Sequence, residues 1–372
     1  MKSLRIAALT VLGLTACTKK EEAAPPPPPP VAKVDPKPVA PPPPPPEEPK
    51  ADKECAAPMA ATGETTELKF GDKSARLTGT RLVFADKDTD GLTFGVLGPI
   101  NEDSGANIVA LRKYLKFFIA EKADAIIVTG DVGEVAPGIQ RVLEEVGASK
   151  LPVFVTIGNL ECRGDYLKGV EAAQAKFPNI VNLTKVREIS YPELTLLSLP
   201  GHHDAKYIHC ATGCQYLPST VKEVVAAAKA SKVPVALIAH GPPHGKGNQA
   251  LDFATENVGD EGITTAINDA NIAFGFFSNI KEAGGRATSD AEGTSLVKEG
   301  ASSKKLFINP GPADATTSWD MNDGTTAMGL AAIFKLTDGE ATWKLLRLKQ
   351  ATAAEKAEAK KLEPPAREAK PE

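Results

Sequence analysis

Polar residues that could do chemistry stand at the ends of several apolar runs in this sequence. Asp131 follows one such run after a single glycine, Asn159 does the same after the next run, and His240 directly follows a third. Carboxylate, amide and imidazole groups bind divalent metal ions, and carboxylates and imidazoles also transfer protons. The sequence therefore predicts a polar site where these segments meet.

The runs themselves predict the strands of an α/β fold. They are short and continuously apolar, which is typical of strands buried on both faces. Helical periodicity in residues 107–122 lies between the first two runs. In open α/β sheets, ligands bind just past the carboxyl ends of the strands, so the polar residues are expected to converge. The predicted strands are Leu92–Leu97, Ala125–Thr129, Val153–Ile157, Leu194–Leu199, Val233–Ala239, Ile272–Phe277 and Leu306–Ile308.

Two further elements are predicted from local signals. Met328–Lys335 and Thr342–Leu348 flank Asp338-Gly339 and predict a closing antiparallel hairpin. Thr220 with Glu223 predicts a capping box that opens a helix over residues 221–229.

The composition predicts one globular domain with a different leader attached. The chain has 372 residues, of which 42% are hydrophobic and 24% charged, so it can bury a substantial core and is not wholly disordered. Fifteen of the 31 prolines fall between Pro25 and Pro49, a stretch that favours a polyproline II tether. We expect a signal peptide at 1–16, a tether at 17–64, one domain at 65–350 and, at 351–372, a charged segment that forms a solvated tail or a frayed helix.

The start of the chain predicts export and lipidation. Lys2 and Arg5 precede a short apolar run that ends in Leu14-Thr15-Ala16-Cys17. This ending resembles the lipobox of bacterial lipoproteins, in which the cysteine carries the lipid. Thr18 is not the aspartate associated with retention in the inner membrane, so an outer-membrane anchor in the bacterial envelope is favoured. An ordinary secretory signal with an incidental cysteine is the alternative.

The charge gives no reason to expect nucleic acid as a partner. The formal net charge is −4, with 43 basic and 47 acidic residues. Nucleic-acid-binding domains typically carry a basic excess.

The order of the strand-end motifs resembles that of the calcineurin-like metallophosphoesterases over most of residues 92–310. In that family D-x-H, GD, GNH with an acid, a lone histidine and GHxH each follow a strand. Gly130-Asp131 matches GD, Gly158-Asn159 matches the start of GNH, and His240 matches the lone histidine. The resemblance implies a layered α/β sandwich of two mixed β-sheets flanked by helices.

The departures from the family pattern affect the metal ligands. D-x-H reads Pro99-Ile100-Asn101, the third residue of GNH is Leu160, and GHxH reads Ser278-Asn279-Ile280-Lys281. Proline cannot ligate through its side chain, and an ammonium group repels a dication. The resemblance therefore implies at most one weak divalent site (Mn, Fe or Zn), held by Asp131, Asn159, His240 and a poor fourth ligand, Asn279.

Two functional classes stay open on this sequence. The first is an envelope lipoprotein with little or no phosphoester hydrolysis, which binds a phosphate-containing ligand or an envelope protein. The second is an active phosphoesterase with an altered, single-metal site. Paired metals supply the attacking hydroxide, and Leu160 replaces the expected acid, so the first class is favoured.

The remaining candidates are histidines and cysteines that follow the fourth and fifth predicted strands. His203 and His244 are candidates to line the cleft, and surface positions are their plainer alternative. Cys210 and Cys214 are expected to form a local disulfide, with a metal site near His209 as the alternative. The sequence leaves the pairing of Cys55 and Cys162 open.

Overall fold

The computed structural model describes residues 53–85 and 91–365 of the chain. The predicted signal peptide, Cys17 and the proline-rich stretch lie outside these residues. No helix in the described ranges is long and apolar enough to cross a bilayer.

A six-stranded sheet carries the first half of the site. Its order is β17-β16-β4-β5-β6-β7, and β4 to β7 run parallel while β16 pairs antiparallel with β4. All residues of β4, β5 and β6 are buried, as their continuous apolar sequences require. The strands are β4 (Leu92–Leu97), β5 (Ala125–Val128), β6 (Val153–Val155), β7 (Ile180–Asn182), β16 (Leu330–Thr337) and β17 (Glu340–Arg347).

A nine-stranded mixed sheet carries the second half. Its order is β1-β2-β3-β8-β9-β10-β11-β13-β12, with a parallel centre from β9 to β13. The strands are β1 (Thr65–Phe70), β2 (Lys73–Thr78), β3 (Arg81–Phe84), β8 (Glu188–Ser190), β9 (Thr195–Leu199), β10 (Val235–Ala239), β11 (Phe274–Phe276), β12 (Arg286–Thr288) and β13 (Leu306–Asn309). A separate two-stranded ribbon joins β14 (Trp319–Asp320) and β15 (Thr326–Ala327).

The helices cover the outer faces of the two sheets. One core lies between the sheets, a second lies between the six-stranded sheet and α1 to α3, and a third lies between the nine-stranded sheet and α4 and α5. The predicted α/β sandwich of two mixed sheets flanked by helices is confirmed. The helices are α1 (Gly105–Ala120), α2 (Ala136–Gly147), α3 (Arg163–Lys176), α4 (Pro218–Ala230), α5 (Glu261–Asp269) and α6 (Ala353–Lys361).

The predicted closing hairpin is present as β16 and β17. All eight residues of each strand are paired, and the turn is Asp338-Gly339. Both turn residues have positive φ, 51° and 78°, which is the conformation that a two-residue turn between right-twisted strands needs.

The capping box predicted at Thr220 is wrong. The helix begins earlier, at Pro218, and Thr220 Oγ1 accepts the backbone N–H of Leu217 from inside the first turn. Glu223 instead accepts the backbone N–H of Met59 and lies 3.7 Å from the Arg187 guanidinium. Pro218 occupies the first helical position, where proline favours helix initiation, so the helix begins there without the predicted capping box.

Both ends of the domain extend further than predicted. Residues 53–64 are attached to it, since Ala57 N–H donates to Thr184 O and Gln215 N–H donates to Lys53 O. At the other end, the segment expected to be a solvated tail or a frayed helix contains α6, which forms the ion pairs Arg112–Glu358 and Lys113–Glu355 with α1. Exposed ion pairs contribute little alone, and Leu362 at the end of α6 also packs against the core cluster that includes α1.

The predicted Cys210–Cys214 disulfide is wrong. Cys214 pairs with Cys55, and Cys210 pairs with Cys162. Gly213 N–H donates to Cys210 O in a tight turn, after which Cys214 enters the buried core while Cys210 stays near the surface. The turn sends the two side chains to different partners, although only three residues separate them.

We predict that peptide mapping of the non-reduced protein finds the Cys55–Cys214 and Cys162–Cys210 pairs. Their sequence separations are 159 and 48 residues. The chain-entropy model assigns such loops about 5 and about 4 kcal/mol. Chemical denaturation of the two double-alanine variants is expected to show losses in that order, and a Cys210–Cys214 peptide would contradict the assignment.

Candidate active site

Asp131 lies at the carboxyl end of β5 in a constrained backbone conformation. Its φ is 53°, in the left-handed region, and that of Gly130 before it is 102°. Such a conformation costs a residue with a side chain about 1–3 kcal/mol. The backbone N–H groups of Ile100 and Asn101 both donate to Asp131 O, at 2.9 and 2.8 Å. The loop after β4 therefore holds the strained residue in place.

The Asp131 carboxylate is held by the loop that follows β6. Its Oδ1 accepts the backbone N–H groups of Asn159 and Leu160, both at 3.1 Å. Gly158 allows this approach, because a Cβ there would lie 2.2 Å from Asp131 Oδ1. The glycine before Asn159 is thus required by the contact between the two loops.

His240 lies fully buried at the end of β10 and faces the same carboxylate. Its Nδ1 is 2.8 Å from Thr129 O, and its Nε2 is 2.9 Å from Asn159 Oδ1 and 3.3 Å from Asp131 Oδ1. The Asn159 amide is oriented because Nδ2 donates to Tyr207 O at 2.7 Å. The structure therefore brings together Asp131, Asn159 and His240.

This arrangement can take either a proton or a cation. The carbonyl of Thr129 needs a proton on Nδ1, so His240 Nε2 faces two oxygen acceptors. A proton on Nε2 makes an imidazolium, whereas a divalent cation would find two oxygens and one imidazole nitrogen. The three donors fit part of one metal site. Across residues 53–85 and 91–365, no group of three His, Cys, Asp or Glu side chains could hold a metal ion.

Lys281 faces the other oxygen of Asp131. It opens the 3₁₀ turn Lys281–Ala283, with Nζ 3.9 Å from Asp131 Oδ2 and 4.9 Å from the centre of the Trp319 ring. Its side chain is 14% exposed. The Lys281 ammonium group thus lies beside Asp131 Oδ2, on the side of the carboxylate where a second metal ion would lie.

The other residues that would surround a second metal ion do not supply suitable side-chain ligands. Pro99 has no donor atom in its side chain, and Asn101 donates Nδ2 to Asp314 Oδ2 at 3.2 Å. Leu160 contacts the site through its backbone N–H. The residues present do not fit a dinuclear metal centre.

The ion pair shifts the pKa of both partners. Burial alone would raise the pKa of Asp131, but His240, Lys281 and the Leu160 N–H together lower it below its ordinary value. Burial likewise opposes the charged form of His240, and Asp131 nevertheless raises the His240 pKa. The charged pair is therefore the favoured state of these two side chains.

Glu161 is a second buried carboxyl beside the pair. It accepts the backbone N–H groups of Val132 at 2.6 Å and Gly158 at 2.9 Å. Burial, and then the negative charge of Asp131, raise its pKa to about 7. Glu161 therefore links the loops that follow β5 and β6 through its hydrogen bonds. At neutral pH it carries less than a full negative charge.

Asn279 and His202 form a pair next to the site. Asn279 Nδ2 lies 3.1 Å from His202 Nε2, while the Asn279 backbone N–H donates to His240 O. Asn279 is thus bonded to a neighbouring imidazole and joins the site through its backbone. From the sequence, His203 rather than His202 is a candidate to line the cleft, although His202 comes first after β9 and is 1% exposed.

His203 and His244 lie away from the three-residue cluster. His203 stacks on His202 and lines a cleft of about 760 Å³ between α4 and α5. The backbone N–H of His244 donates to Asp260 O. In the described ranges, neither histidine has a hydrogen bond or ion pair to Asp131, Asn159 or His240.

We predict that the Asp131–His240 pair stabilises the fold in a limited pH window. Charged Asp131 contributes to the free energy of unfolding at pH values above its ordinary pKa of 3.8. Charged His240 contributes fully below its ordinary pKa of 6.5, and this contribution is lost as the pH rises through its raised pKa. Asp131→Asn should therefore cost about 3 kcal/mol of unfolding free energy at pH 5.5 and less at pH 9. Denaturant titrations in a chelator measure this, and a cost independent of pH would contradict it.

Part of this sequence and its fold are similar to those of known proteins. Residues 103–267 match the model of the calcineurin-like phosphoesterase family. One crystal structure is 13% identical over 68% of this chain and 98% of its own, with a TM-score of 0.51, which shows the shared fold. A dimetal phosphatase from Danio rerio is 13% identical over 68% of this chain and 95% of its own, with a TM-score of 0.48.

A protein of Thermus thermophilus, TT1561, is 14% identical over 64% of this chain and 97% of its own, with a TM-score of 0.45. No protein of curated function matches the sequence. The family match begins just before α1, ends within α5 and includes Asp131, Asn159 and His240. Residues 103–267 are therefore similar to the calcineurin-like phosphoesterases, and the chain shares its fold with a structure that is 13% identical.

Proposed function

We propose that this protein binds a phosphate-containing ligand at the Asp131–His240–Lys281 cluster and hydrolyses phosphoesters little or not at all. The observation that carries the proposal is the Lys281 ammonium 3.9 Å from Asp131 Oδ2. A fixed cation there attracts a phosphate oxygen as a metal ion would, but it cannot activate a water molecule.

The charge of the cluster favours an anion. Lys281 and protonated His240 carry two positive charges, and Asp131 carries one negative charge. Glu161, with its pKa raised to about 7, is mainly neutral below that pH. The cluster therefore has a net positive charge in mildly acidic solution, in a partly buried position where electrostatic attraction is stronger than in water.

The groups needed for hydrolysis are largely missing. Two metal ions would generate the nucleophile and stabilise the charge on the phosphoryl oxygens. Pro99, Asn101 and Lys281 leave no place for one of those ions, and Leu160 has no proton to give. Loss of a general acid alone costs about 10²–10⁴-fold in rate.

We predict that Lys281→Ala weakens phosphate binding about 10-fold, which corresponds to about 1.4 kcal/mol. Isothermal titration with inorganic phosphate at pH 6 measures this. Lys206→Ala, an exposed lysine on the loop after β9, is the matched control and should bind as the unmodified protein does. Equal phosphate affinity in the Lys281→Ala and unmodified proteins would refute the binding role of Lys281.

A single-metal phosphoesterase is the second candidate, because Asp131, Asn159 and His240 direct three donors to one point. In that case Mn²⁺, Fe²⁺ or Zn²⁺ would supply Lewis acidity there, and these three side chains would hold it. The same preparations assayed with aryl phosphates decide between the candidates. Substantial turnover with added metal that Asp131→Ala abolishes would establish the enzyme and reject the binding protein.

The binding role is proposed for the bacterial envelope, with Cys17 as the lipid-bearing residue and the outer membrane as the favoured location. The support is the apolar run that ends at Leu14-Thr15-Ala16-Cys17. A proline-rich stretch between this anchor and the domain would serve as a spacer.

We predict that Cys17→Ala blocks both signal cleavage and lipid labelling. Metabolic labelling with a fatty acid, followed by membrane fractionation, measures this. Release of the unmodified protein without lipid would contradict the proposed anchor.

A further inference from the structure

A strip of contacts joins the loop after β9 to the loop that carries Asn159. Asn159 Nδ2 donates to Tyr207 O at 2.7 Å, and the backbone N–H of His209 donates to Asn159 O at 2.9 Å. Three residues beyond Asn159 and Tyr207, the Cys162–Cys210 disulfide links the two loops covalently. The N–H of Arg163 then donates to Thr212 O at 3.2 Å.

The hydrogen bond to Tyr207 O determines which atom of the Asn159 amide faces the site. A side-chain amide has an acceptor at one end and a donor at the other, so the partner of one end selects what the other offers. With Nδ2 bound to Tyr207 O, Oδ1 lies 2.9 Å from His240 Nε2. Without that carbonyl, the amide could rotate and turn its N–H₂ group towards the imidazole.

The segment that supplies the Tyr207 carbonyl is otherwise attached through the Tyr207 ring, whose centre lies 5.4 Å from that of His202 and 6.1 Å from that of His203. Ala205, Lys206, His209, Ala211 and Thr212 are exposed. The 3₁₀ turn Ala205–Tyr207 has only three residues, with Asp204 accepting the Lys206 N–H at its start. Exposed backbone hydrogen bonds and a short turn leave such a segment free to open locally. The covalent link at Cys210 limits this opening.

We propose that the Cys162–Cys210 disulfide is a positioning element of the ligand site, which fixes the Asn159 amide through the Tyr207 carbonyl. The inference rests on the proposed ligand site, which Asn159 joins through its hydrogen bond to His240 Nε2, and its Mn²⁺ readout rests on the single-metal candidate. It assigns to this cross-link an effect on affinity beyond its effect on folding.

The second disulfide provides a matched control within the same loop. Cys214 lies four residues after Cys210 and pairs with Cys55, and next to it Gln215 N–H donates to Lys53 O. This bond ties the loop to residues 53–64 and has no direct link to the Asn159 loop. Its removal should lower the stability of the fold without changing the orientation of Asn159.

The test compares Cys162→Ala/Cys210→Ala with Cys55→Ala/Cys214→Ala. In the first variant, NMR should show faster exchange of the Asn159 side-chain amide protons, and the Kd for Mn²⁺ should rise about 10-fold. In the second variant, both quantities should stay within about twofold of the unmodified protein, although its unfolding free energy falls more. If the alanine pair does not fold, Cys162→Ser/Cys210→Ser removes the cross-link with the smallest change in side-chain size at these two half-buried positions.

The results separate this inference from the proposed function. Unchanged Asn159 exchange in the Cys162 variants, or equal Mn²⁺ weakening in both pairs, would overturn the positioning role. If the unmodified protein binds no Mn²⁺, the single-metal candidate fails, and the amide exchange alone still decides whether the disulfide positions Asn159.

Discussion

The buried ion pair between Asp131 and His240 is the constraint around which the rest of the site is arranged. Neither charge would be stable alone in a position from which water is excluded. Two backbone N–H groups, an asparagine oxygen, a carbonyl and an ammonium group satisfy the remaining positions around the pair. These partners come from the ends of β5, β6, β10 and β11, so both sheets must be in register for the pair to exist.

The same constraint makes each member of the group costly to replace. Asp131, Asn159 and His240 satisfy one another, and their contacts join the two sheets. The side chain of Asn101 instead donates to Asp314, and Leu160 contacts Asp131 through its backbone N–H. Replacing one of the three would leave a buried polar partner unsatisfied, whereas the side chain of Leu160 can change without breaking its backbone contact.

Much of the fold could be predicted from the sequence, because its strands are either fully buried or closed by a distinct turn. Continuous apolar runs identified β4, β5 and β10, and Asp338-Gly339 identified the last hairpin. The convergence of Asp131, Asn159 and His240 followed from their positions at strand ends, although β5 and β6 belong to one sheet and β10 to the other.

The wrong predictions have a common physical reason. The separation of two residues in the sequence does not show in which direction each side chain points. Cys210 and Cys214 are neighbours in sequence, but the turn between them sends one to the surface and the other to the core. His202 and His203 are adjacent, and only the path of the chain after β9 decides which ring is buried beside His240. Residues 53–64 and α6 lack strong apolar patterns, so nothing in their sequence indicated that they pack on the domain.

The position of β16 in the six-stranded sheet has a consequence for the order in which the chain can fold during synthesis. β4 is made early, yet its partner on one side begins only at Leu330. Until about nine-tenths of the chain has left the ribosome, β4 presents a bare apolar edge, and such edges recruit other strands. A chain stopped before residue 330 therefore has the four parallel strands β4 to β7 but neither β16 nor β17 to cover the edge of β4.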